Sequence, residues 1–153
     1  MANPISRRTF LKATAGGLVV AGAGIGAGYY LSKENIKGKI LIIGGGAAGC
    51  SFAARLMHRL KNPDITLIDP SDRQYYQPGF TLISGGVYEA DDVWKPQAEC
   101  MPDGVKWIKD KVTLVHPTQN KIDTAKSGTI GYDFLVVAPG VKYDWSRIEG
   151  ITY

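Results

Sequence analysis

The sequence predicts an α/β fold: a parallel βαβ unit of Rossmann-like type, followed by a small antiparallel β excursion, in a domain that is incomplete at its end. Three observations predict it. Lys39-Ile-Leu-Ile-Ile43 is a short apolar, β-branched run. It meets Gly44-Gly-Gly-Ala-Ala-Gly49, whose glycines at 44, 46 and 49 give G-x-G-x-x-G. A helix-period segment then leads to a second run, Ile65-Thr-Leu-Ile68, which ends in Asp69.

The order of these pieces carries the prediction. Residues 39–43 are strand-like because β-branched side chains suit a pleated, buried surface. From Cys50 to Leu60, Phe52, Leu56 and Leu60 recur every four residues, with Ala53 and Met57 beside them, which predicts an amphipathic helix. Asn62-Pro63-Asp64 stops it. Gly44 permits the tight turn, Gly46 lets backbone approach a pyrophosphate, and Gly49 lets helix pack closely on strand. A helix N-terminus offers free N–H groups and a positive dipole end to phosphates. Asp69 lies 25 residues after Gly44, where a carboxylate accepts ribose hydroxyls. A lone glycine pattern is weak evidence, but this one has the strand, the helix and the acid in place. Gly22-Ala-Gly-Ile-Gly-Ala-Gly28 is also glycine-rich, yet it fails the spacing and follows no strand.

Further along, the run 105–115 reads as a strand, His116-Pro-Thr-Gln-Asn120 turns it into residues 121–125, and Ser127-Gly128 turns that into the next. A strand at 134–137 follows, within Tyr132-Asp-Phe-Leu-Val-Val-Ala-Pro-Gly140. The last segment resembles the second flavin motif of flavoproteins with two dinucleotide-binding domains, a strand that usually ends in Ala-Thr-Gly. It makes Ala138 and Gly140 candidate cofactor residues, with Pro139 in place of threonine. Read without the resemblance, it is a buried strand ending in a Pro-Gly turn.

The start of the chain has a different character. Ser6-Arg-Arg-Thr-Phe-Leu-Lys12 resembles the twin-arginine export signal at every position. Residues 13–31 are uncharged and long enough to span a bilayer, but six glycines and five alanines make them mild. Residues 1–31 are therefore assigned to a signal or a membrane anchor, with Ala21-Gly22-Ala23 a small-residue cleavage site, and 32–38 to a linker. The expected location is periplasmic or otherwise extracytoplasmic, and membrane-associated. The net charge of +4 includes Arg7, Arg8 and Lys12, so the rest of the chain carries about +1, which is no footprint for nucleic acid. Two cysteines, Cys50 and Cys100, lack metal or redox spacing, and no clustered ligand set suggests a metal. His58, in the last turn of the helix, and His116, at a turn, read as structural.

The fold admits FAD or NAD. FAD is favoured because the twin-arginine route carries folded proteins, and a tightly held flavin travels with the chain. Gln74-Tyr-Tyr-Gln-Pro-Gly-Phe-Thr-Leu-Ile-Ser-Gly-Gly86 is open between two readings, aromatics packed on the domain or a segment along a cofactor. Asp69-Pro-Ser-Asp-Arg-Gln-Tyr-Tyr-Gln-Pro-Gly-Phe-Thr-Leu resembles the sulfide:quinone oxidoreductases, particularly the branch with the mitochondrial enzyme. Pro102-Asp-Gly-Val-Lys-Trp-Ile-Lys109 and Tyr143-Asp-Trp-Ser-Arg-Ile-Glu-Gly150 extend the likeness, which covers about residues 39–150.

The resemblance implies FAD contacts at Ala47, Ala48, Asp69, Gln77 and the backbone of Val112. It also implies sulfide and quinone as substrates and a membrane surface as partner. In that family sulfide attacks a protein disulfide, leaves a cysteine persulfide, and sends two electrons through FAD to quinone. The resemblance places the redox cysteines beyond Tyr153; of the two present, Cys50 reads as buried packing and Cys100 has no neighbouring base in sequence. Residues 151–153 would begin a second domain, and the 153-residue chain alone is expected to be inactive. The related flavoprotein subunit of cytochrome-linked sulfide dehydrogenase, with a c-type cytochrome partner, is the alternative. It places a cysteine in the loop matching Tyr75 to Phe80, where this chain has none. A non-catalytic nucleotide-binding module, for FAD or NAD, or an inactive remnant, is the alternative of another class.

Overall fold

The computed structural model describes residues 33–141 and 144–150. The expected leader over residues 1–31 and the expected start of a second domain at 151–153 lie outside the described residues. Four strands form a parallel sheet: β1 (Lys39–Ile43), β2 (Asp64–Ile68), β5 (Lys106–Ile108) and β9 (Phe134–Val137), in the order β5-β2-β1-β9. Helix α1 (Ala47–Arg59) joins β1 to β2. This is the parallel βαβ unit that the glycine loop predicts. Asn62 takes a left-handed φ of 47° just past the helix end, the conformation asparagine tolerates best after glycine.

Both sheet faces are covered, which is why β1 is apolar at consecutive positions. Ile40 and Ile42 face α1 and pack with Cys50, Ala53, Leu60, Ile65 and Leu67. Leu41 and Ile43 face the other way and pack with Ile68 and Ile122. The helix contact line runs through Cys50, Ala53, Met57 and Leu60. Phe52 is off that line and 42% exposed, because each helical residue turns about 100° from the last.

The second face is covered by an antiparallel meander of β6 (Val112–His116), β7 (Lys121–Thr124) and β8 (Thr129–Gly131). The single strand expected over 105–115 is in fact two, β5 in the parallel sheet and β6 in the meander. Asp110 breaks the run. Its buried carboxylate accepts the backbone N–H groups of Lys111 (2.7 Å), Lys126 (3.0 Å) and Ser127 (2.7 Å), tying the β5–β6 turn to the β7–β8 turn. A strand pattern cannot show that its two halves pair with different sheets.

A two-stranded ribbon, β3 (Arg73–Tyr75) with β4 (Trp94–Pro96), carries the aromatic loop. Between its strands lies the short helix α2 (Phe80–Ser84), and after β4 comes the four-residue α3 (Gln97–Cys100).

Candidate functional site

The strands end side by side, and the ladder runs one residue further. The Gly44 N–H donates to the Ile68 carbonyl (2.9 Å), Asp69 N–H to Ile108 (3.2 Å) and Ala138 N–H to Ile43 (2.8 Å). Gly44, Asp69 and Ala138 are thereby set in a row at the carboxyl edge of the sheet, where ligands of open α/β sheets bind. A groove of about 910 Å³ opens there. Its floor is the turn at residues 45–48, one wall is Asp69 and Ser71, the opposite wall is residues 137–141, and the ribbon with Tyr75, Tyr76 and Gln77 closes the side.

The glycines of the turn differ in what constrains them. Gly44 has φ +101°, and a Cβ there would lie 2.1 Å from the Ala138 carbonyl oxygen. A Cβ on Gly49 would lie 1.9 Å from the Gly44 carbonyl oxygen, so helix and turn touch backbone to backbone. A Cβ on Gly46 would meet nothing within 4 Å. Gly44 and Gly49 are closed by the fold, and Gly46 is open to the groove.

Asp69 is held by its neighbours. Its Oδ2 accepts the Gly45 N–H (2.6 Å) and its Oδ1 the Ser71 N–H (2.7 Å), while its own carbonyl accepts Trp107 Nε1–H (3.0 Å). Each carboxylate oxygen keeps a second lone pair for a hydroxyl in the groove. Beneath the turn, the Gly45 carbonyl accepts from Gln97 Nε2 (2.7 Å) and from the Cys50 thiol (3.1 Å). With its amide nitrogen turned inward, Gln74 donates to the same carbonyl (2.7 Å) and to Gln97 Oε1 (2.9 Å). Its oxygen then accepts the Ala47 N–H (2.9 Å). Burial, more than the neighbouring Cys100, pushes the Cys50 thiol up, so it stays protonated and can donate. Arg73 lies over the Trp94 ring, 4.1 Å from its centre, on the groove's rim.

The family model for pyridine nucleotide-disulphide oxidoreductases matches residues 38–152. The chain belongs to that family. Among curated relatives, the mitochondrial sulfide:quinone oxidoreductase of Dictyostelium discoideum is 42% identical over 114 residues, covering 74% of this chain and 25% of the relative. The mouse mitochondrial sulfide:quinone oxidoreductase is 34% identical over 113 residues, with the same coverage of both. The solved sulfide:quinone oxidoreductase of Aquifex aeolicus superposes with a TM-score of 0.60 at 26% identity, over 69% of this chain and 25% of that one. The chain thus spans about a quarter of the length of the curated relatives it matches.

Of the residues singled out by sequence in this family member, Gly46, Ala47, Ala48, Asp69, Gln77, Ala138 and Gly140 line the groove. Gly44 and Gly49 shape it from behind. Val112, expected to contact the cofactor through its backbone, sits in β6 with its half-buried side chain packed against the core between sheet and meander, outside the residues that line this groove. Sequence reasoning missed Gln74, Gln97 and Arg73. Gln97 carried one local signal, a polar residue directly after the Pro96 that ends β4, but its burial to 1% exposure comes from the ribbon folding back. A second groove of about 800 Å³ adjoins the first across Gln74, Tyr75 and Tyr76 and is lined by Tyr88, Trp94 and Cys100. Both cysteines are free.

Proposed function

We propose that this chain is the FAD-binding, N-terminal part of an exported sulfide:quinone oxidoreductase, taking sulfide and quinone as substrates at a membrane surface. The observation that carries the reading is Gly46, open to the groove at the end of β1 while the glycines around it are closed by the fold. Such a place suits a pyrophosphate, which must approach backbone more closely than any side chain allows. Asp69, fixed by Gly45 and Ser71, suits the ribose hydroxyls. Tyr75, Tyr76 and Gln77 on one side and residues 138–140 on the other would flank the rest of the cofactor. The relatives named as sulfide:quinone oxidoreductases support sulfide and quinone over other substrates of the family.

FAD, when bound, supplies the two-electron relay between sulfur and quinone. The protein's part in this region is binding and orientation. Cys50 is buried with its thiol committed to the Gly45 carbonyl, and Cys100 lines the second groove and not the first. Neither is assigned to the sulfur chemistry, which is left to other segments of the protein. The complete protein tests the reading. It should purify with a visible flavin spectrum, be bleached by sulfide and reduce a short-chain quinone. Absence of flavin sinks the cofactor assignment. Flavin that sulfide does not bleach sinks the substrate. Reduction of cytochrome c in place of quinone moves the protein to the cytochrome-linked branch.

A further inference from the structure

Side chains from three separate elements converge on one backbone atom: Gln97 from α3 and Cys50 from α1 donate to the Gly45 carbonyl, and Gln74 from β3 joins them with its amide nitrogen turned inward. Gln97 is buried, so its amide was taken out of water to make this contact, and such a burial is costly unless it is hydrogen-bonded. Gln97 is satisfied on both ends, by Gly45 on its nitrogen and by Gln74 on its oxygen. A Cβ on Gly45 would sit 2.6 Å from Gln97 Nε2, so the glycine is what admits the amide.

The consequence lies on the other side of the peptide. No described peptide bond is cis, and in a trans peptide the carbonyl and the following N–H point in opposite directions. Drawing the Gly45 carbonyl inward turns the Gly46 N–H outward, at the glycine of the 44–49 motif where an added Cβ would meet nothing. We propose that Gln97 is a positioning residue: it latches the Gly45–Gly46 peptide so that the Gly46 N–H is presented to the phosphate of the bound dinucleotide. Cys50 and Gln74 reinforce the latch. This rests on the FAD-binding reading above. The argument for the latch comes from the convergence on Gly45.

Gln97→Met keeps the volume and removes the donor. Gln97→Glu makes the donor depend on pH, because a neutral carboxyl can donate to the Gly45 carbonyl and a carboxylate cannot. The measurement is FAD affinity of the complete protein, stripped of flavin and titrated with FAD across pH. Wild-type binding to FAD validates the underlying reading, and its failure there is a separate result from any failure of the latch. Gln97→Met is expected to bind FAD about tenfold more weakly at every pH. Gln97→Glu is expected to bind close to wild type at low pH and to lose about tenfold as its carboxyl ionises, a profile the wild type lacks. Equal affinity of Gln97→Met and wild type, or a Gln97→Glu profile that parallels wild type, overturns the proposal. If Gln97→Met does not fold, Cys50→Ala carries the test. It should weaken FAD binding about threefold, and unchanged affinity overturns the latch.

Discussion

Two polar hubs in this molecule are built in opposite ways. At the glycine turn, one backbone carbonyl, that of Gly45, is surrounded by the side chains of Gln97, Cys50 and Gln74. At the meander, one side chain, Asp110, is surrounded by the backbone N–H groups of Lys111, Lys126 and Ser127. The difference separates a site from a joint. Side chains that satisfy the Gly45 carbonyl hold the Gly45–Gly46 peptide still and turn its N–H toward the groove, while Asp69 takes the preceding N–H, that of Gly45. A carboxylate that gathers backbone N–H groups uses them up, and what remains is a tie between two turns.

The contrast can be broken most forcefully at Gly49. Its missing Cβ would fall on the Gly44 carbonyl, a backbone atom with no room to move. Gly49→Ala should cost about 3 kcal/mol of stability, the upper end of ordinary overpacking, read by denaturant unfolding. A variant as stable as wild type would show that the turn yields and that its geometry is not set by the fold.

The joint should answer next, and through pH. Burial pushes the Asp110 carboxyl up, but hydrogen bonds from Ser127, Lys111 and Lys126 outweigh it and hold the group well below the usual carboxylate range. The sign follows from linkage. The stabilisation is fully present above the unfolded carboxyl value, about pH 4, and is lost as pH falls through the lower folded value. Asp110→Asn should lower the thermal midpoint at neutral pH and flatten its fall in acid. An unchanged midpoint would show that Asp110 does not tie the two turns together.

A smaller loss is expected from a second pair in the meander. His116 Nε2 lies 2.7 Å from Asp123 Oδ2, and Thr129 donates to Oδ1 at 2.7 Å. The His116 hydrogen bond, then that of Thr129, holds the Asp123 carboxyl down. His116→Gln should lower the midpoint less than Asp110→Asn does, because solvent reaches this half-buried pair and competes with it, while Asp110 is buried. A larger loss would make this pair, and not Asp110, the joint of the meander.

The smallest effect on stability should come from Gly46→Ala, and it sharpens the comparison most. Nothing lies within 4 Å of the added methyl, so the cost is confined to the weaker N-cap preference of alanine relative to glycine, at most about 1 kcal/mol. FAD affinity should nonetheless fall about tenfold or more, since the methyl stands where the ligand must approach. Intact stability with intact affinity would remove Gly46 from the site.

Much of this arrangement was legible in the chain. The apolar run at residues 39–43, the glycine spacing and Asp69 gave the βαβ unit and the carboxyl-edge location of the groove, because each is a local demand of period, turn or helix start. Phe52 misled as to the helix face, since a four-residue rhythm of large side chains hid the line through small Cys50 and Ala53 that meets the sheet. The run at 105–115 misled as to strand number, because propensity is blind to which sheet a residue joins. The leader's reading rests on its own motif and lies outside the described residues.

By itself the sequence determined the elements whose physics is local: strands, the helix, the turn that only glycine can make, and an acid at the right distance. Only the tertiary structure decided what holds that turn. Gln97 is 52 residues from Gly45 in the chain, and no pattern announces it. A buried amide finds its partner only after the ribbon has folded back across the sheet edge, and a hydrogen bond between distant segments leaves no period to read.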